Sequence, residues 1–278
     1  MADHPGRLNP NANPNPNPVT VRISGLTRGF GQRTVLRDID LEIPQGQFVA
    51  LVGRSGSGKS TLLRAIAGID HEVQGDGAIH TPRRVSVVFQ DSRLLPWRRV
   101  LANVLLGLPR RGPKAREASE RARAALAEMG LAGREDAWPN QLSGGEAQRA
   151  ALARSLARDP ELLLADEPFG ALDALTRIRM HTLLRELWER HGPTVLLVTH
   201  DVDEAVLLAD RVLVLEDGRF IRDLPIDLPH PRSARDERLT AYRERLLEAL
   251  GVEVDAPQLV EQDVPELRQD VVLEEVAP

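Results

Sequence analysis

The sequence predicts an α/β fold with a mostly parallel sheet, an antiparallel β subdomain at one edge and an inserted α-helical subdomain. Three apolar runs without alternation, typical of buried parallel strands, cover 48–52, 161–165 and 194–199. Two runs in which apolar and polar residues alternate, as in half-buried strands, cover 19–24 and 39–43. A mostly helical stretch from about 92 to 157 separates two strands of the core.

The stretch 53–61 follows the first apolar run and fits the phosphate-binding pattern G-x-x-x-x-G-K-[ST]. It consists of Gly53, Arg54, Ser55, Gly56, Ser57, Gly58, Lys59, Ser60 and Thr61. The glycines let the backbone fold around an anion with its N–H groups pointing inward. Lys59 adds a charge for the β- and γ-phosphates, and the Ser60 hydroxyl can ligate Mg²⁺. A helix predicted from Lys59 to Ala67 would direct its positive end at the same phosphates.

Composition and charge bound the class of protein. The 278 residues are 42% hydrophobic, enough for a core, and include no cysteine for a disulfide or thiolate site. No run of 18 apolar residues occurs, so we expect no membrane span. The Asn/Pro-rich residues 1–18 are expected to be disordered. Residues 251–278 carry eight acidic side chains and one arginine, as in a solvated tail, and the near-neutral body shows no nucleic-acid footprint.

Along the body of the chain, 19–250, the first residue of interest is Phe30, between the two alternating strands. Its ring could stack on a nucleotide base or could be an ordinary half-buried turn aromatic. A strand predicted over 84–89 ends at Gln90, and the apolar segment Leu94–Trp97 follows it. That segment is interpreted as a docking surface, although core packing explains the later Leu105 and Leu106 equally well. Further helices are predicted over 114–129, 144–157, 174–190, 205–209 and 235–250, and a strand over 211–215.

The start of the helix at 144 carries an unusual pair of glycines. Ser143 and Glu146 have the spacing of a capping box, which is the structural explanation for this segment. Gly144 and Gly145, however, each cost the helix on the order of 1 kcal/mol, and capping does not account for them. Close approach of an anion to a helix N-terminus does account for them, so we predict an anion site here.

Polar residues also follow two of the buried strands. The run 161–165 ends in Asp166 and Glu167, and the run 194–199 ends at His200. Residues at the carboxyl ends of parallel strands lie beside the phosphate-binding crevice. Asp166 suits Mg²⁺, and Glu167 suits polarising an attacking water. His200 could hydrogen-bond the γ-phosphate or that water, although a lone histidine is more often structural.

Together these residues resemble the nucleotide-binding subunit of an ATP-binding cassette (ABC) transporter, over about 19 to 250. The motifs occur in the family's order: Phe30 as the adenine-stacking aromatic, 53–61 as Walker A, Gln90 as the Q-loop, 142–146 as the signature, Asp166 and Glu167 as Walker B with the catalytic glutamate, Asp173 as the D-loop, and His200 as the switch histidine. Phe30 stands where tyrosine is commoner, and Glu146 stands where glutamine is commoner.

The resemblance implies an ATPase that binds ATP and Mg²⁺, with Ser60, Gln90 and Asp166 at the metal and Lys59, Gln90, Glu167 and His200 in catalysis. It also implies that residues 143–146 of the signature, together with Asp173, contact nucleotide held by a second copy in a head-to-tail homodimer. The implied partners are two copies of a transmembrane permease and, indirectly, an extracytoplasmic solute-binding protein. The implied location is peripheral, on the cytoplasmic face of the inner membrane.

Two further segments narrow the resemblance. Residues 91–97 and 103–108 are similar to the nitrate, taurine and sulfonate importer group, and 170–177 and 227–232 are most similar to its aliphatic sulfonate branch. The resemblance implies aliphatic sulfonates as the transported cargo, with taurine, nitrate or another small anion as the alternative. A kinase or GTPase has no use for the signature, and no N-K-x-D stretch for guanine is present. A cassette ATPase acting on ribosomes or DNA usually has a second cassette or a long coiled-coil insertion, and this sequence shows neither.

Overall fold

A computed structural model describes residues 18–71, 73–109, 111–233 and 235–252. The predictions of a disordered N-terminus over 1–18 and of an acidic tail over 251–278 therefore fall almost entirely outside the described residues. Within the described residues, no helix is long and apolar enough to cross a membrane.

The centre of the molecule is a six-stranded sheet. Its strands are β3 (Phe48–Val52), β5 (Val85–Phe89), β6 (Leu162–Asp166), β7 (Thr194–Val198), β8 (Arg211–Glu216) and β9 (Arg219–Pro225). The spatial order is β5-β6-β7-β3-β8-β9, and the first five strands run parallel while β9 is antiparallel to β8. Every residue of β3 and β7 is buried, as expected for strands covered on both faces.

A second, three-stranded antiparallel sheet is formed by β1 (Val19–Phe30), β2 (Arg33–Pro44) and β4 (Ala78–His80), in the order β2-β1-β4. The predicted mixture of a parallel core and an antiparallel β edge is therefore confirmed. The two long strands extend well beyond the predicted 19–24 and 39–43. Register shifts between 23 and 29 let β1 stay paired with β2 although the alternation of apolar residues breaks there.

Seven α-helices complete the described fold. They are α1 (Lys59–Ile66), α2 (Val100–Val104), α3 (Lys114–Glu128), α4 (Gly144–Leu156), α5 (Ala174–His191), α6 (Val202–Leu208) and α7 (Glu237–Ala249). Helix α1 lies between the two sheets, where Leu62, Leu63 and Ile66 share one core with β1 and β2. Helices α2 to α6 pack on the opposite face of the large sheet in a second core. The large sheet is thus covered on both faces, which fixes the positions of its strand ends.

Two elements near the C-terminus differ from expectation. Strand β9 was not predicted, although the Asp217-Gly218 pair is a recognised hairpin signal and both residues have positive φ. The polar sequence of 235–250 predicts a peripheral helix, yet Leu239 and Leu246 of α7 are buried in the core. Beyond α7, the carbonyl of Leu250 accepts a hydrogen bond of 3.1 Å from Arg54 Nε. The C-terminal helix is therefore attached to the phosphate-binding segment.

Candidate nucleotide-binding and catalytic site

The predicted site residues meet at the carboxyl edge of the parallel strands. Gly53 follows β3, Gln90 follows β5, Asp166 ends β6, and His200 lies two residues after β7. Since β6 and β7 pair in register and β7 lies next to β3, these strand ends are neighbours in space. Loops that leave neighbouring parallel strands at this edge form the usual ligand crevice of α/β proteins.

The segment 53–61 forms a loop that enters α1 directly. A cleft of about 360 Å³ is lined by Val35, Glu167, His200 and residues 55–56 and 58–61 of this loop. Gly58 has a φ of 109°, a conformation that residues with a β-carbon avoid. At Gly53, a β-carbon would lie 2.2 Å from the carbonyl oxygen of Leu215. The loop geometry therefore requires glycine at both positions, as the predicted pattern supposes.

Lys59 is folded back onto the loop that precedes it. Its Nζ donates to the carbonyl oxygens of Gly53 at 2.8 Å and Arg54 at 3.0 Å. Burial lowers the pKa of Lys59, while the charges of Glu167 and Asp166 oppose that shift. The first N–H groups of α1 have no partner within the helix, and no side chain of the described residues caps them. A cation and a set of free N–H donors thus converge, as a triphosphate requires.

Hard oxygen donors lie beside that cation. Ser60 Oγ donates a hydrogen bond of 3.0 Å to Asp166 Oδ1, which joins α1 to the end of β6. The buried Ser57 hydroxyl finds no hydrogen-bond partner among the described residues. A hydroxyl next to a carboxylate fits Mg²⁺, which favours oxygen ligands and keeps several waters. The residues present therefore fit both phosphate oxygens and a magnesium ion.

Glu167 and His200 form a pair above the cleft. Glu167 Oε2 lies 3.1 Å from His200 Nδ1, and the His200 side chain is 66% exposed. Glu167 has a φ of 46°, and its N–H donates to the carbonyl of Val198 at 2.9 Å. A left-handed conformation at a residue other than glycine is strained and concentrates at functional sites. Here it turns the chain sharply after β6, so that successive carboxylates serve different partners.

Gln90 lies at the same edge, against the turn that follows Glu167. A β-carbon at Gly170 would lie 3.3 Å from Gln90 Nε2, so the two residues are neighbours. Two residues that sequence reasoning missed hold this region in place. Gln148, which is buried, donates from Nε2 to the carbonyl of Phe89 at 2.8 Å. Arg154 donates to the carbonyls of Ser92 and Arg93 at 2.8 and 2.9 Å.

Neither Gln148 nor Arg154 belongs to a motif, and the signal in the sequence is slight. Both occur in α4 among alanines and leucines, where a polar side chain facing the core needs a buried partner. Their partners are backbone carbonyls about sixty residues away in sequence, which the side-chain pattern does not indicate.

The predicted signature forms the capping box at the start of α4. Ser143 Oγ accepts from Glu146 N–H at 3.2 Å, and Glu146 Oε2 accepts from Ser143 N–H at 2.9 Å. The backbone bond from Ser143 lowers the pKa of Glu146, and Arg134, 3.1 Å away, adds to that effect. The acidic side chain that replaces the family's commoner glutamine is thus engaged within its own chain.

The two glycines of the signature differ. A β-carbon at Gly145 would lie 2.6 Å from Thr176 Cγ2, so close packing against α5 accounts for that glycine. A β-carbon at Gly144 would meet nothing within 4 Å of it among the described residues. Asp173 caps α5 by accepting from Thr176 N–H at 3.0 Å. Hydrogen bonding to the Thr176 side chain first, and to its N–H second, lowers the pKa of Asp173. The described chain gives no packing reason for Gly144.

Phe30, Asp173 and the signature do not line the cleft at the phosphate-binding loop. Phe30 ends β1, and about half of it (49%) is exposed. The turn that follows it borders a neighbouring groove, lined among others by Gln32, Arg33 and Gly56. Phe30 is therefore close in the chain to a surface that reaches the phosphate-binding loop, while stacking on a base stays a prediction.

Fold and site define the class of protein: an ATPase of the ATP-binding cassette type. The family model described as ABC transporter matches residues 36–170. The aliphatic sulfonates import ATP-binding protein SsuB 2 of Streptomyces avermitilis is 76% identical over 232 residues, covering 84% of this chain and 91% of the relative. The protein of the same name from Rhizobium johnstonii is 62% identical over 254 residues, covering 91% and 98%. The chain therefore belongs to the ABC transporter family as an ATP-binding, ATP-hydrolysing subunit.

A solved structure agrees with this assignment. The dimeric structure of a post-hydrolysis state of the ATP-binding cassette MJ0796, bound to ADP and Pi, superposes with a TM-score of 0.66 at 32% identity. The match covers 76% of this chain and 100% of that structure. The predicted fold class and family are thus confirmed together.

The open position at Gly144 generates a prediction. The Gly144→Ala variant should unfold at the same temperature as the wild type or slightly higher, because alanine favours a helix. Its ATP turnover should fall about tenfold or more, because the added methyl group would displace the anion predicted to approach this helix N-terminus. Thermal unfolding and phosphate release measure the two effects. Gly145→Ala is the control, and it should lower stability because of Thr176. Wild-type turnover in Gly144→Ala would contradict the anion site.

Proposed function

We propose that this chain is the ATP-hydrolysing subunit of an importer that takes up aliphatic sulfonates. The observation that carries the proposal is the common strand edge at which the Ser60–Asp166 and Glu167–His200 pairs adjoin a phosphate-binding loop. The relatives support the cargo, since two that are 76% and 62% identical are named aliphatic sulfonates import ATP-binding proteins. The cargo itself would be selected by other subunits, since this chain works on ATP.

In this proposal the loop 53–61 wraps the triphosphate. Lys59 exchanges its two carbonyl partners for β- and γ-phosphate oxygens, and the N–H groups at the start of α1 hold the rest. Ser60, Asp166 and Gln90 would hold Mg²⁺, and the metal when bound neutralises charge on the β- and γ-phosphates. The hydroxyl of Ser57, buried without a partner among the described residues, is available to an oxygen of the nucleotide. Phe30 would stack on the adenine.

Catalysis in this proposal requires a positioned water molecule. Glu167 accepts a hydrogen bond from that water and orients it for in-line attack on the γ-phosphate. His200, 3.1 Å from Glu167, orients the carboxylate and reaches toward the γ-phosphate from the next strand. Lys59 stabilises the charge that develops on the transferred group. Gln90, at the end of β5, responds to the same phosphate.

The active assembly in this proposal is a head-to-tail homodimer. Each chain has one phosphate-binding loop and one signature, and the two do not share a cleft within the described residues. The uncovered position at Gly144 is consistent with a ligand from outside the chain. The signature and Asp173 of one copy would therefore complete the nucleotide site of the other. The cassette MJ0796, which this fold matches, is also described as a dimer.

The permease would dock beside Gln90, at the segment Leu94–Trp97. Trp97 is 69% exposed, whereas Leu94 packs against the core. The buried Asn103 fixes this segment by accepting from Leu95 N–H at 2.6 Å and donating to three carbonyls between 95 and 99. An exposed aromatic on a rigid loop is typical of a binding hot spot. Two permease copies would hold the dimer at the cytoplasmic face of the inner membrane, with a solute-binding protein on the other side.

The Glu167→Gln variant tests the catalytic assignment. Turnover should fall about 10²- to 10⁴-fold, as expected for the loss of a general base, while ATP affinity is retained. Because the bound nucleotide is no longer cleaved, an ATP-dependent dimer should appear on gel filtration. Phosphate release and nucleotide titration are the measurements. Turnover close to that of the wild type would remove Glu167 from this role.

The same variant serves as the control for the cargo. A deletion strain of the source organism that lacks this gene should fail to grow on an alkanesulfonate as sole sulfur source, yet grow on sulfate. The wild-type gene should restore growth, and the Glu167→Gln gene should not. Loss of growth on taurine alone, or a defect on nitrate as nitrogen source, would contradict the sulfonate assignment and leave the ATPase assignment intact.

The Trp97→Ala variant tests the docking surface. The isolated variant should hydrolyse ATP at the wild-type rate, because Trp97 is exposed and does not line the nucleotide cleft. It should fail to co-purify with the permease and should not restore growth, since truncation of a hot-spot aromatic costs a complex about 2 kcal/mol or more. Trp138 is 39% exposed and lies against the guanidinium of Arg99. The matched control is therefore Trp138→Ala, which should still co-purify with the permease. Full complementation by Trp97→Ala would rule out this docking site.

A further inference from the structure

His181 is a partly buried histidine in the middle of α5 that belongs to none of the predicted motifs. Its side chain is 12% exposed, and it contacts two other segments near the carboxyl edge of the parallel strands. On one side, His181 Nε2 lies 2.7 Å from Glu204 Oε1. On the other side, its ring meets Phe169 edge-on, with a centroid distance of 5.0 Å. One side chain therefore joins three elements of the molecule.

The Glu204 contact leads to His200. Glu204 is buried at 4% exposure in the first turn of α6. Its N–H donates to the carboxylate of Asp201 at 3.1 Å, and Asp201 N–H donates to Thr199 Oγ1 at 3.0 Å. His200 lies within this hydrogen-bonded turn. A shift of Glu204 therefore moves the turn that aims the His200 ring.

The Phe169 contact leads to Glu167. Phe169 is buried at 2% exposure, and it lies in the turn closed by the bond from Gly170 N–H to the Glu167 carbonyl. The strained φ of Glu167 needs support from its surroundings, because an isolated chain would relax it. The ring of His181 packs against the side chain that anchors this turn. Helix α5, which carries His181, is capped at its N-terminus by Asp173.

We infer that His181 is a positioning residue for ATP hydrolysis, which through Glu204 and Phe169 holds His200, Glu167 and the start of α5 in one geometry. The inference rests on the proposed roles of Glu167 and His200. His181 does not touch the nucleotide cleft, so its effect is on the orientation of the groups that do. A misplacement of about 1 Å at catalytic groups can cost a factor of 10² in rate without changing substrate affinity.

A second histidine of α5 offers a matched control. His191 lies at the other end of the helix. Its Nε2 is 3.0 Å from Oε1 of Glu128 in α3, which is also a His–Glu contact. That contact is far along α5 from Asp173 and does not join the catalytic turns. The His191 contact is the more exposed of the two, so a purely structural role predicts a larger loss of stability at His181 but no specific loss of kcat. The positioning account predicts that only His181 affects turnover.

The first experiment compares His181→Leu, His181→Gln and His191→Leu in the full-length chain. His181→Leu should lower kcat about tenfold and leave KM for ATP within about twofold, which marks an effect on the transition state. His181→Gln keeps an N–H donor for Glu204 and should recover most of the rate. His191→Leu should keep the wild-type kcat. Equal rates for His181→Leu and the wild type, or equal losses for both leucine variants, would overturn the inference.

His181→Leu leaves Glu204 buried without its partner, so a second variant separates misfolding from misalignment. The double variant His181→Leu/Glu204→Leu replaces the polar pair by apolar side chains, a change that proteins often tolerate. It should melt close to the wild type and still show the reduced kcat, because the directional bond is gone. Wild-type kcat in the double variant would show that only the unpaired carboxylate mattered, and would overturn the inference.

Including Glu167→Gln in the same series keeps the two proposals distinct. If Glu167→Gln retains turnover, the catalytic assignment fails whatever His181 does. If Glu167→Gln is inactive and His181→Leu is normal, only the positioning role is lost.

Discussion

The register of the parallel strands is the constraint on which the site depends. β5 pairs with β6, β6 with β7 and β7 with β3, so the residues after these strands emerge at one edge. The Ser60–Asp166 bond then ties α1 to β6 across that edge. A slip of a single strand would bury the carboxylates or turn them away from the phosphate-binding loop. Burial of both faces of the sheet, by α1 with the small sheet and by α2 to α6, makes such a slip costly.

Polar side chains of α2 and α4 hold the loops beyond the strand ends in position. Gln148, Arg154 and Asn103 each bind backbone carbonyls of the segment 89–99, which has little secondary structure of its own. Removing Gln148 or Asn103 would leave partly buried carbonyls without a protein partner, at a cost of up to about 1–3 kcal/mol each. The same loops separate Gln90 from the exposed Trp97. In the proposed function, a rigid connection between the carboxyl edge of the parallel strands and the docking surface would transmit changes at the nucleotide to the permease.

Much of this architecture could be predicted because its signals are local. Apolar runs identified β3, β6 and β7, and the loop 53–61 with Asp166 and Glu167 identified the edge. Other features depend on contacts that sequence spacing does not reveal. The full length of β1 requires register shifts around Gly25 and Gly29, and the Glu167–His200 distance requires the neighbouring positions of β6 and β7. Gly144 and Gly145 look alike in sequence, yet only Gly145 is explained by packing within the chain.

In the proposed function, this edge of the sheet holds ATP together with Mg²⁺ through oxygen ligands, and a nucleotide titration of Asp166→Asn tests that binding most directly. Asparagine keeps an acceptor oxygen for Ser60, so the edge should stay folded while the negative charge for the metal is lost. The account predicts that Mg²⁺ strengthens ATP binding to the wild type about tenfold or more, and that this gain disappears in the variant. An equal Mg²⁺ effect on the two proteins would contradict the account.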